Sequence, residues 1–197
     1  VYCCDAVDFE QDWEVGKGMG WLMDVLGEFE WADSEGQTFL FSNRSFCVQV
    51  AAMLSAFCRL LIPTGTPRPM IVWVANQQGS GKSVLAEGAL APVFGEVATT
   101  TNPESREEFT KLLDTAAINM RSYLFLDDAP GYVASGALNR FVTSRRHSGR
   151  IMGGQMEFDV PAVTQVLLTG NNLELTPDLM RRALAVELFL PGEIEGR

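Results

Sequence analysis

The densest chemistry in the 197-residue chain lies in eight consecutive residues: Asn76, Gln77, Gln78, Gly79, Ser80, Gly81, Lys82 and Ser83. Gly79 and Gly81 allow the dihedral angles that turn successive backbone N–H groups toward one point. Lys82 adds a compact positive charge and Ser83 a hydroxyl. The residues that follow read as a helix, whose N-terminus carries a partial positive charge. Together these groups suit a phosphate chain, with Lys82 against its terminal phosphates and Ser83 on a Mg²⁺ ion. The run is one residue short of the pattern G-x-x-x-x-G-K-[ST], because Asn76 stands where the first glycine is expected. The competing reading is a glycine-rich turn that happens to contain Lys-Ser. Placement between an apolar strand-like run and a helix argues for phosphate binding.

Three further polar sets follow apolar runs. Asp127 and Asp128 close residues 122–126; beside a bound triphosphate, Asp127 would hold the Mg²⁺ through water and Asp128 would orient or deprotonate an attacking water. Asn171 closes residues 163–169 in a Gly-Asn-Asn turn, where its amide could bond both a terminal phosphate and that water. Arg181 and Arg182 precede the last apolar run, and a guanidinium there could stabilise transition-state charge on a neighbouring subunit's nucleotide. For these sets the bland alternatives are a turn-forming acid pair, a turn amide and a solvated arginine pair.

The positioning elements can be read from apolar periodicity. Residues 70–75 form a continuous β-branched, apolar run of the kind found in strands buried on both faces, and residues 122–126, 163–169 and 183–190 repeat it. Residues 96–101 form a shorter fifth run. Helical patterns at 83–90, 105–115 and 137–143 alternate with these runs, which predicts an α/β domain with a parallel sheet flanked by helices. Ahead of it, residues 21–29 have a helical period. Residues 45–62 read as a helix apolar nearly all round and therefore buried, ended by three prolines and a glycine at 63–69. The expected organisation is an acidic, helical lead-in over 1–69 and a core over 70–197.

Composition narrows the classes. With 47% hydrophobic and 20% charged residues the chain can bury a core without disulfides or structural metal. Cys3, Cys4, Cys47 and Cys58 lack zinc-ligand spacing, His147 is the only histidine, and Cys47 and Cys58 read as small buried hydrophobes in a reducing compartment. No apolar stretch is long enough to span a membrane, and no signal peptide is evident in a chain that starts at Val1, as a piece of a longer one would. The formal charge of −10 is uneven: residues 1–36 hold ten acids and one base, the rest 15 acids and 14 bases. Within that nearly neutral remainder Arg140, Arg145, Arg146 and Arg150 form a basic patch, with no acid between Asp128 and Glu157.

The four polar sets, in this order, resemble the AAA+ ATPases, and more narrowly the superfamily 3 helicases and the P-loop ATPase domains of phage- and plasmid-type primase-helicases. The resemblance covers residues 70–190. It implies that Lys82 and Ser83 are Walker A residues, Asp127 and Asp128 Walker B residues, Asn171 a sensor amide, and Arg182, or failing it Arg181, a finger acting across a subunit boundary. Residues 145–155 fall where superfamily 3 helicases place a pore hairpin that grips one DNA strand. This chain departs there: the tip at 151–154 lacks a Lys-His pair, and Arg145, Arg146 and Arg150 precede it. The absence of aromatics among them favours phosphate contacts over base stacking. The implied function is a cytoplasmic, bacterial or phage-encoded helicase-type motor, a homo-oligomeric, hexameric ring binding Mg·ATP and single-stranded or forked DNA. The main alternative is a nucleotide switch acting on protein partners, for which the acidic residues 1–36 suit a basic protein surface. A small-molecule kinase would need an acceptor pocket and lid that are not evident.

Overall fold

The computed structural model describes residues 15–32, 42–103, 105–150 and 156–191. Cys3, Cys4, the acids at 1–14, Asp33, Glu35 and the hairpin tip at 151–155 lie outside the described residues. In chain order the elements are α1 (Val15–Leu26), α2 (Arg44–Phe57), β1 (Met70–Ala75), α3 (Lys82–Phe94), α4 (Arg106–Ile118), β2 (Tyr123–Leu126), β3 (Tyr132–Val133), α5 (Gly136–Thr143), β4 (Arg146–Arg150), β5 (Glu157–Pro161), β6 (Gln165–Asn171), β7 (Glu174–Leu175), α6 (Pro177–Met180) and β8 (Ala183–Leu188).

The chain is α/β, with a central sheet in the order β2-β6-β1-β8, every pair parallel. Alternation along each strand serves both faces of this sheet. Ile71, Trp73, Leu167 and Val186 join Phe46, Ala52, Leu85 and Ala89 from α2 and α3 in one core. Met70, Val72, Val166 and Leu168 join Leu113, Leu138 and Phe141 from α4 and α5 in the other. Full burial of each large side chain is worth about 1.5–3 kcal/mol, so helices on both faces are the sheet's main support. The first core crosses residue 69, because Leu26, Trp31 and Phe46 of the lead-in pack with strand residues. One buried polar chain fixes the α2 contact: Trp73 Nε1 donates to Gln49 Oε1 at 2.7 Å, and Gln49 Nε2 donates to the Leu85 carbonyl at 2.9 Å.

The outer edge of β8 is partly sealed by the lead-in. Trp31 bridges Leu188 antiparallel, Ala32 N donates to Glu187 O at 2.9 Å, and Phe189 N donates to Glu30 O at 2.9 Å. On the far side of the sheet, the strand expected over 96–101 is reduced to one bridge, Thr100 to Leu126. Two other expectations fail. The apolar helix of the lead-in ends as an α-helix at Phe57 and buries one face only, through Phe46, Gln49, Ala52 and Ala56, while Leu54, Phe57, Leu60 and Leu61 are exposed. Cys47 and Cys58 are likewise exposed, because they lie off the face that α3 and β8 cover. No described helix is long and apolar enough to cross a membrane.

Candidate functional site

All four core strands end at one edge, and the polar sets singled out from the sequence meet there except for the arginines. β1 runs straight into the glycine loop, in which Gly79 and Gly81 adopt left-handed φ values of 80° and 86°. Gly81 is also the position before the first residue of α3, Lys82. A Cβ on Gly81 would lie 2.7 Å from Cε1 of Phe29, so the ring from the lead-in closes down on the loop and leaves no room for a side chain. Asn76 explains its departure from glycine. Its amide reads the backbone at the exit of β8 from both sides, donating to Leu190 O at 2.9 Å and accepting from Leu190 N at 3.0 Å. Gln77 Nε2 also donates to Leu190 O, at 3.2 Å. Gln78 is exposed beside them.

Lys82 is 7% exposed, and among the described residues no hydrogen-bond acceptor or carboxylate is seated against its ammonium. Ser80 Oγ is buried in the same loop without a hydrogen-bond partner. The stem of Lys82 is buried while its ammonium keeps some contact with solvent; the buried hydroxyl of Ser80 is unfavourable by about 1–3 kcal/mol when unmatched, so the loop suits an anion that supplies the missing acceptors. The helix N-terminus at Lys82 favours the same charge.

The register sets the remaining groups. Ala75 is paired with Asn171 across β1 and β6, and Leu126 with Leu168 across β2 and β6. Asp127 therefore emerges beside Thr169. Its Oδ1 accepts from Ser83 Oγ at 2.8 Å and also from Thr169 Oγ1. Thr169 Oγ1 accepts in turn from Asp128 N at 2.9 Å, and Asn102 Nδ2 donates to the Asp127 carbonyl. Asp128 turns out of the strand with a left-handed φ of 53°, which Asp tolerates better than most residues, and its side chain is exposed. Asn171 Oδ1 is buried and unpartnered at the same edge. Gly170 is confined as well, since a Cβ there would lie 3.1 Å from the Ala129 carbonyl oxygen.

Among the described residues no group of three or more His, Cys, Asp or Glu side chains is placed to hold a metal ion. The Ser83–Asp127 pair fits a hard cation that takes most of its ligands from water and phosphate, as Mg²⁺ does, and not one bound by a protein cage. Thr169 and Asn102 were missed from sequence. A hydroxyl ending an otherwise apolar strand is a readable signal for Thr169, whereas nothing marks Asn102.

The arginines lie elsewhere. Arg181 and Arg182 precede β8, which starts level with Met70, at the opposite edge of the sheet from the glycine loop. A six-residue strand separates the two edges, a distance of roughly 20 Å. Arg182 is held within the chain, donating to Asn139 Oδ1 on α5 and to the Asp178 carbonyl at 2.9 Å, while Arg181 is exposed. Arg146 and Arg150 sit on β4, whose antiparallel partner β5 brings two acids against them. Arg146 Nε lies 2.8 Å from Asp159 Oδ2 and Arg150 Nε 3.5 Å from Glu157 Oε1. Of the four arginines in the expected basic patch, hairpin pairing neutralises Arg146 and Arg150, while Arg140 on α5 and Arg145 at the base of the hairpin stay exposed. His147 is buried on β4, its Nε2 2.7 Å from Asp114 Oδ1, and ties the hairpin to α4. No protein-family model and no curated protein matches this chain.

Proposed function

We propose that the chain is a nucleoside-triphosphate hydrolase domain of P-loop type, using ATP with Mg²⁺, that works as one subunit of a ring, with six as the natural size, to move a nucleic-acid strand. The observation that carries this reading is Lys82, a lysine buried along its stem whose ammonium has no partner among the described residues, at the head of α3, beside the buried, unpartnered Ser80 hydroxyl and one residue from the hydroxyl that bonds Asp127. Lys82 would sit against the terminal phosphates, with the backbone of 77–81 around the chain and Ser83 and Asp127 holding the metal. Mg²⁺ supplies charge neutralisation at the phosphates when bound. Asp128 is the exposed carboxylate left to orient the attacking water and accept its proton, and Asn171 the amide left to sense the terminal phosphate. Thr169 keeps both aspartates in place by bonding the side chain of one and the backbone of the other.

Neither Arg181 nor Arg182 reaches the glycine loop of its own chain, so a finger from this pair acts only on a second copy's nucleotide. Arg181 is the better finger, since Arg182 already holds α5 to α6. An arginine of this kind is worth on the order of 10³ to 10⁵ in rate. The test combines nucleotide titration with phosphate release. Lys82→Ala is expected to lose MgATP binding, and Asp128→Asn to bind normally but not turn over. Equal binding loss in both variants would overturn this division of roles. A second reading, a nucleotide switch on protein partners, draws support from the ion pairing of Arg146 and Arg150, which leaves the hairpin arms little net charge for DNA.

A further inference from the structure

The sheet has a second edge, where β2, β6, β1 and β8 begin, and it gathers arginines. Arg121 stands just before β2, Arg68 just before β1, and Arg181 and Arg182 directly before β8. Arg145 joins the row at β6, because its carbonyl accepts from Ala162 N at 2.9 Å, and Ala162 O accepts from Gly65 N at 2.9 Å on the approach to β1. Arg59 completes the cluster: Arg68 Nη2 donates to its carbonyl at 3.3 Å, and its guanidinium carbon lies 4.8 Å from the Phe94 ring centroid.

What holds these side chains is as telling as where they are. Among the described residues, Arg44, Arg146 and Arg150 meet a carboxylate, and none of the edge arginines does. Arg59 rests on a carbonyl and a ring, Arg68 on a carbonyl, Arg182 on an amide and a carbonyl. These contacts orient the guanidinium groups without cancelling their charge. Arg68 Nε is buried and has no partner, and burial pulls its pKa downward, which an added anion would reverse. Asp178, one turn before Arg182, meets it through its backbone carbonyl and not its carboxylate. A row of arginines without carboxylate partners presents unneutralised positive charge that suits a polyanion.

We propose that Arg121, Arg145, Arg68, Arg59 and Arg182 of this edge bind the phosphate backbone of a single-stranded nucleic acid, which lies across the starts of the strands instead of along the β4–β5 arms, with Arg181 left to the neighbouring copy's nucleotide. The choice of nucleic acid rests on the motor reading above. The row spans three inter-strand steps, about 14 Å, long enough for several phosphates of one strand. Guanidinium groups suit it because they bond phosphate oxygens in pairs.

The test is fluorescence anisotropy of a labelled 20-nucleotide oligo(dT) on the full chain over a range of KCl, with binding of a fluorescent ATP analogue measured on the same samples. The double variant Arg121→Glu, Arg145→Glu is expected to weaken oligonucleotide binding at least tenfold. Losing two phosphate contacts should also flatten the log–log salt slope by about 1.4. The corresponding double Lys variant should keep most of the affinity, and Arg146→Ala, Arg150→Ala should change it less than threefold. ATP-analogue binding should be the same in all of them, so loss of nucleotide binding alone counts against the phosphate loop and not the edge. The proposal is overturned if wild type does not bind oligo(dT) at low salt, if the hairpin pair carries the affinity, or if poly-glutamate of equal charge competes as well as unlabelled oligo(dT), which marks a surface for an acidic protein. Should the charge reversal unfold the chain, single Arg121→Gln and Arg145→Gln variants, each expected to lose about threefold, decide the matter.

Discussion

Lys82 carries a charge that the described residues leave unpaired. Replacing it with Met, of similar length and no charge, removes no protein contact of the ammonium and should change the stability of the ligand-free chain by less than about 1 kcal/mol. The same variant should lose the ligand-dependent shift, which for wild type at a hundredfold excess of MgATP over Kd is worth about 2.7 kcal/mol. Thermal melts with and without MgATP read both; a variant less stable than wild type by about 2 kcal/mol or more without ligand would mean that the ammonium has a native partner. Thr169 is the converse case, fully satisfied and fully buried. Thr169→Val should destabilise by about 1–3 kcal/mol and lower hydrolysis more than nucleotide binding, with Thr169→Ser restoring most of both. Unchanged turnover in the Val variant would show that the aspartates are positioned by the backbone alone.

At the scale of elements, the glycine loop and the lead-in are fitted to each other. Gly81→Ala meets two separate obstacles: contact with Phe29, and a left-handed φ that is unfavourable by about 1–2 kcal/mol for a residue with a Cβ. Adding Phe29→Ala should recover the steric part and leave the dihedral part, so a double-mutant cycle by urea denaturation is expected to show coupling of about 1 kcal/mol or more. Complete additivity would show that ring and loop do not press on each other. This contact was not legible in the sequence, since nothing in residues 21–29 announces a partner more than fifty positions away. The core strands were legible because burial on both faces demands unbroken apolar runs, as in residues 70–75. The same logic misled at α2: an apolar surface all round predicts burial all round, yet the sheet and α3 cover one side, leaving Leu60 84% and Leu61 81% exposed. β4 and β5 carry little apolar signal, so their pairing, and with it the loss of free charge at Arg146 and Arg150, emerges only from the register. At the site, residue types marked Lys82, Ser83 and Asp127, whereas the link through Thr169 depends on which strand lies between β1 and β2.

At the scale of the molecule, the two edges of the sheet divide the work, with the phosphate loop at one and Arg181 at the other. Hydrolysis should then depend on contact between copies. Mixing Asp128→Asn with Arg181→Ala chains, each inactive alone, is expected to restore part of the turnover, because some mixed interfaces unite the intact carboxylate with the intact arginine. No recovery in a mixture shown by mass to co-assemble would remove the finger from Arg181. The lead-in has its own consequence for the whole. The short backbone stitch from Glu30 to Ala32 caps what is otherwise an open flank of the parallel sheet. A shortened chain beginning at residue 42 would keep every group of the phosphate site yet bare the flank of β8 as a template for other molecules. Such a fragment should precipitate or form strand-paired aggregates on concentration, and solubility would then return on adding residues 27–41 back, before any question of catalysis arises.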